Sequence, residues 1–122
     1  FVATLGFKSV KIMSPEAHDE VVSFTSQLPH ALAVALINSD NQKYDTGKYI
    51  GDSYRDLTRI ANINENLWSE LFLKNRDHLL ASINSFEEQL DMIKQALYDD
   101  DEAKLKEMFI ESSLRREKLE KK

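Results

Sequence analysis

The chain has 122 residues, 42% hydrophobic and 30% charged, which suits one domain with a core of its own. A net charge of −5 disfavours nucleic-acid binding, which needs a basic surface to meet phosphates. The absence of cysteine excludes disulfides, thiolate nucleophiles and thiolate metal sites, and three glycines with two prolines are too few for a turn-rich β protein, so a mostly α fold is expected.

Phe1 to Phe7 reads like the tail of a preceding element, with Gly6 as a helix C′ residue. Lys8 to Met13 alternates weakly and suits one short strand. A single strand needs a partner. Residues 1–13 are therefore expected to be the remnant of another domain's end, with 14–122 forming a helical domain. Ser14-Pro15-Glu16 is a strong helix start: a capping hydroxyl, a proline suited to the first turn and an acid at the positive end. The helix is expected to run toward Asn38, burying a stripe of Val21, Phe24, Leu28, Leu32 and Ala35. Ala31 to Ile37 is apolar on every side and is expected to be buried all round. Pro29 removes a backbone donor in mid-pattern and predicts a kink near Thr25 to Gln27, with His30 just after it. Val21 to Ser39 has no charged residue and about the length of a membrane span, but its Ser, Thr, Gln, His and Asn residues argue for a buried helix in a soluble protein. The N-terminus lacks the basic start and apolar run of a signal peptide.

A polar loop follows from Asn38 to Ile50. Gly51-Asp52-Ser53 then starts a short helix capped by Asp52 or Ser53 and carrying Tyr54 to Ala61. Arg59 lies at the edge of its apolar face. Two readings are open: a carboxylate clamp, whose planar fork matches a carboxylate in bidentate fashion, or a surface arginine paired with Asp56. Asn62 to Asn64 ends this helix. From Asn64 a long pattern begins with Leu67, Trp68, Leu71 and Phe72. It continues as a heptad seam of Leu79, Ile83, Phe86, Leu90, Ile93 and Leu97. Asp99-Asp100-Asp101 breaks it, and a last helix bearing Leu105, Met108 and Phe109 can fold back as a hairpin. Four or five helices are expected in all.

No glycine-rich phosphate loop, nucleophile elbow or metal-spaced histidine cluster is present in the sequence. His18 and Asp19 are adjacent and diverge on a helix, and His78 reads as a surface residue. His30 is either a satisfied core histidine or a polar group lining a cleft. Trp68, the single tryptophan, is either core or an anchor at a subunit interface.

Four segments in series, Met13-Ser14-Pro15-Glu16-Ala17-His18-Asp19, Gln27-Leu28-Pro29-His30, Tyr54 to Ala61 and Leu67 to Asn75, resemble the C-terminal helical domain of prephenate dehydrogenase. The resemblance implies an all-α, multi-helix bundle like the 6-phosphogluconate dehydrogenase C-terminal dimerisation domain, with a short strand remnant at the N-terminus. It implies a homodimer in the cytoplasm, with no metal, membrane or nucleic-acid partner. It also implies an enzyme that oxidatively decarboxylates prephenate in tyrosine biosynthesis, using NAD or NADP held by a Rossmann domain N-terminal to this chain. Carried over by position, Arg59 holds a substrate carboxylate, Asp56 joins an ionic network with it, His30 lines the cleft and Trp68 reaches toward the partner subunit's site. The family's catalytic histidine and nucleotide turn lie in the other domain, so these residues alone are expected to be inactive. Two positions depart from the pattern: Gln27 stands where the family has a first histidine, and Gly51-Asp52-Ser53 replaces a glycine-rich turn. The rival readings are an enzyme using arogenate, the amino analogue, and a non-catalytic helical interaction module.

Overall fold

A computed structural model describes residues 13–120. Among them the fold is all-α, with helices α1 (Pro15–Val22), α2 (Leu28–Asn38), α3 (Asp52–Thr58), α4 (Glu65–Lys74), α5 (Arg76–Tyr98) and α6 (Glu102–Glu120). The expected N-terminal strand falls, apart from Met13, outside the described residues. Ser14–Ile83 forms one compact unit, and the described residues from Asn84 onward belong to a second.

Helix α1 begins as its sequence dictates. The Ser14 hydroxyl accepts from the Ala17 N–H at 3.1 Å, and Pro15 fills the first turn, where no backbone donor is needed. The expected kink is a turn of π-helix, Ser23–Gln27, in which the Leu28 N–H donates to the Ser23 carbonyl five residues back. Pro29 follows at once, in the first turn of α2, where its missing N–H is tolerated.

That surplus residue re-phases the helix, and the expected stripe is corrected. Leu28 is buried, but Val21 and Phe24 are exposed (45% and 59%), as is Ala35; the inward face carries Ser23, Gln27, Leu28 and Ala33. Two polar residues replace two apolar ones because each finds a partner inside. The Ser23 hydroxyl donates to the Glu20 carbonyl at 2.6 Å. Its one proton is thus used, so Ser82 Oγ donates to Ser23 Oγ at 3.0 Å. Nor is the second half of this run buried all round: Ala33 is, while Ile37 is 40% exposed. The run Pro15–Asn38 has the length and mean hydropathy (1.3) of a membrane span, and within it Ser23 and Gln27 are turned inward onto protein partners.

Further corrections concern helix ends. Gly51, not Asp52 or Ser53, occupies the cap of α3, and no side chain bonds to that end. The helix stops at Thr58, whose hydroxyl turns back onto the Tyr54 carbonyl at 2.7 Å; Arg59–Ala61 then forms a 3₁₀ turn. The long segment after Asn64 is two helices, broken at Asn75 (φ −115°, ψ 30°). Asn64 caps α4, its side chain accepting from the Asn66 and Leu67 N–H groups. With the π-turn and the break at Asn75, six α-helices form among the described residues rather than four or five.

In the second unit, the three aspartates end one helix and begin the next. Asp100 adopts φ +50°. The Asp101 N–H donates to the Ala96 carbonyl at 2.8 Å and the Asp100 N–H to the Leu97 carbonyl at 3.3 Å, the paired bonds of a Schellman ending. The Asp101 carboxylate then accepts from the Lys104 N–H at 2.9 Å and caps α6. The seam residues Leu90 and Leu97 are exposed, whereas Ala96 is buried. From Phe109 onward α6 is exposed, supported by same-helix ion pairs such as Arg115–Glu111 at 2.6 Å and Lys106–Glu102 at 3.2 Å.

Candidate functional site

Helix α2 is the organiser of the first unit. Helix α3 and the Arg59–Ala61 turn both pack against it. His30 projects from its first turn, directly after the π-turn, the kind of helix irregularity that recurs at functional sites. One ring face and one ring nitrogen of His30 are constrained. The imidazole stacks on Trp68 of α4, centroids 3.9 Å apart and planes inclined by 21°. Phe72, one turn further along α4, meets Trp68 edge-on at 6.0 Å. His30 Nδ1 lies 2.8 Å from the Ser26 carbonyl oxygen. A carbonyl oxygen only accepts, so Nδ1 carries the proton, and in the neutral ring Nε2 is the free acceptor. His30 and Trp68 are each half-buried.

Behind this stack lies a polar clamp that sequence reasoning missed. Gln27 is only 5% exposed, and both ends of its amide are used. Its Nε2 donates to the Leu71 carbonyl at 3.3 Å, and its Oε1 accepts from Asn75 Nδ2 at 2.9 Å. Asn75 Nδ2 also donates to the Asp19 carbonyl at 2.9 Å. The available signal was a glutamine within a charge-free stretch and an asparagine within a long helical pattern, but no spacing rule links positions so far apart.

Arg59 lies on the 3₁₀ turn against α2 and is exposed. Among the described residues its guanidinium has no ion-pair or hydrogen-bond partner, and Asp56, exposed on α3, is likewise unpaired. The neighbouring Arg55 is instead 3.6 Å from Asp52. The structure thus joins His30 to Trp68 in one contact, places the Arg59 turn on the same helix as His30, and does not pair Arg59 with Asp56. A separate, open polar cleft of about 230 Å³ at the α4–α5 elbow is lined by Asp19, Asn75, Arg76 and His78 among others. Its opposed charges and lack of an apolar floor suit solvent better than a ring compound.

The described residues thus form an all-helical fold that carries a half-buried imidazole–indole stack and an exposed guanidinium with no partner among them. The chain belongs to the family described as prephenate dehydrogenase, dimerization domain, whose model matches residues 14–111. It is 33% identical over 108 residues to the cyclohexadienyl dehydrogenase of Zymomonas mobilis, covering 84% of this chain and 37% of that protein. It is 31% identical over 93 residues to the prephenate dehydrogenase of Bacillus subtilis, covering 73% and 25% respectively. The fold matches the crystal structure of prephenate dehydrogenase from A. aeolicus in complex with hydroxyphenyl propionate and NAD+, with a TM-score of 0.82, 34% identity and coverage of 92% of this chain and 41% of that one. The Synechocystis arogenate dehydrogenase structure matches in fold, with a TM-score of 0.83 at 21% identity, covering 91% of this chain and 42% of that one. The chain therefore spans between 25% and 42% of the length of these relatives.

Proposed function

We propose that this chain is the helical part of a cytoplasmic, NAD(P)-dependent dehydrogenase that oxidatively decarboxylates prephenate to 4-hydroxyphenylpyruvate on the route to tyrosine. Its share of the work is to hold two copies together and to form part of the substrate cleft. Alone it is inactive. The observation that carries this reading is Arg59: a guanidinium with no partner among the described residues, on a short turn packed against α2, in a chain of this family. Prephenate bears two carboxylates, and a planar fork both orients and selects one of them. His30, fixed by Ser26 and Trp68, offers Nε2 to the cleft, Asp56 joins Arg59 in an ionic network once substrate is bound, and Trp68 reaches toward the second subunit's site.

In this reading a nicotinamide dinucleotide would supply the hydride acceptor. The described residues do not fit that group: their two glycines, Gly47 and Gly51, lie on no strand-to-helix turn, and neither has a backbone conformation that demands glycine. In this reading the cofactor is held outside the described residues.

The exposed apolar side chains of Val21, Phe24 and Ile37 support dimerisation, since covering them removes a contiguous helical run's apolar surface from water. Light scattering at micromolar concentration is expected to give a dimer, and a monomer refutes that part. Arogenate is the second reading, favoured by the likeness to a cyclohexadienyl dehydrogenase, a name that covers the ring rather than the side chain. Steady-state assays of the whole enzyme with both substrates decide: turnover of prephenate is expected, and turnover of neither acid overturns the enzyme reading.

A further inference from the structure

We propose that Gln27 and Asn75 are positioning residues for His30, acting through helix α4. Their contacts and the imidazole–indole stack form two rungs of one ladder between the same pair of helical segments. On one side, Gln27 and His30 are three residues apart, about one helical turn. On the other, Trp68, Leu71 and Asn75 follow one another at spacings of three and four, along one face of α4 and its C-cap. The first rung is Gln27 to the Leu71 carbonyl and to Asn75; the second is His30 to Trp68.

The amide nitrogen of Asn75 is saturated. Both protons on Asn75 Nδ2 are used, one on Gln27 Oε1 and one on the Asp19 carbonyl, so Asn75 ties the end of α4 to α1 and to the π-turn at once. Gln27 itself is the last residue of that turn, and Ser23 at its other end is held by Ser82. The π-turn is therefore pinned at both ends. With the turn and the end of α4 fixed, the indole two turns back along α4 has one place to sit, and the imidazole is held against it with Nδ1 on Ser26. Breaking the first rung frees α4 to slide, and the second rung loses its register. This inference deepens the proposed function, because His30 is the cleft residue that the clamp orients.

Two signals read the second rung in the 122-residue chain without any substrate. Nitrogen-15 NMR reports the protonated Nδ1 of His30, and the emission of Trp68, the single tryptophan, reports its stacking. Gln27→Leu fills the same space with no polar atoms. The expected result is loss of the protected Nδ1–H signal and a red shift of the emission. Gln27→His supplies one donor and one acceptor in the same place and is expected to restore both signals. Asn75→Asp, which cannot donate to Gln27 Oε1 or to the Asp19 carbonyl, gives the same losses and serves if Gln27→Leu does not fold. A folded Gln27→Leu or Asn75→Asp with a lower melting temperature but both signals unchanged would mark a clamp that merely stabilises, and would overturn the inference. Failure of the enzyme reading shows in the substrate assays and leaves these two signals untouched.

Discussion

Arg59→Ala in the whole enzyme separates binding from folding. The guanidinium has no partner among the described residues and its side chain is exposed, so little stability rests on it. The melting curve should move by no more than the ±0.5 kcal/mol of an ordinary surface substitution. Binding is another matter. A charge-assisted, bidentate contact to a carboxylate contributes about 1.5–3 kcal/mol, which corresponds to a rise in KM of about 10- to 150-fold. Arg59→Lys keeps the charge but not the fork, and should recover only part of that loss. The assay is initial velocity against prephenate concentration for the three proteins, beside thermal melts of each. A KM for Arg59→Ala equal to that of the wild type removes the side chain from the cleft. A large drop in melting temperature would show instead that the arginine is structural, contrary to its exposed and unpaired state.

Other outcomes follow from the helix ends. Asp100 occupies the left-handed C′ position with φ +50°, so Asp100→Gly should stabilise the chain by about 0.5–1 kcal/mol, while a β-branched Asp100→Val should cost about 1–2 kcal/mol, both read by denaturant titration. Asp101→Ala removes the cap of α6 and should cost about 1 kcal/mol in the same titration. In the loop before α3, the Asp40 carboxylate accepts from the Thr46 hydroxyl at 2.5 Å and from the Gln42 N–H at 2.9 Å, which holds its pKa below the ordinary 3.8. A depressed carboxyl pKa means that these contacts contribute fully above pH 3.8 and are lost as the pH falls through the lowered value. The Thr46 amide shift should follow that titration, and Asp40→Asn should abolish it.

How much was legible in the sequence depended on whether a signal was local. Ser14-Pro15, Asn64 as a helix boundary and the aspartate triplet act within a few residues of themselves, and each ends or begins a helix as its chemistry requires. Pro29 likewise announced a disturbance at the right place. What it could not announce was the form, a π-turn, and hence the rotation that sends Phe24 outward and Ser23 inward. Periodicity assumes one residue count per turn, and a single surplus residue defeats it. The break at Asn75 was hidden because the apolar pattern continues across it. Its cause is long-range: an amide committed to Gln27 and to the Asp19 carbonyl. For the candidate site, the residues His30, Arg59 and Trp68 stood out by type and setting, but the imidazole–indole contact links positions that no local rule connects.

The π-turn also gives this segment a tolerance in residue count. Each residue advances an α-helix by about 100°, and the wide turn holds one surplus residue without that advance. Deleting one residue between Ser23 and Gln27 would heal the backbone into an ordinary α-helix and leave everything after it at nearly its present angle to α1. Leu28 would stay inside and the imidazole would stay against the indole. A deletion within α2 ahead of His30 has no such reservoir, and would swing the imidazole by roughly 100° off the indole.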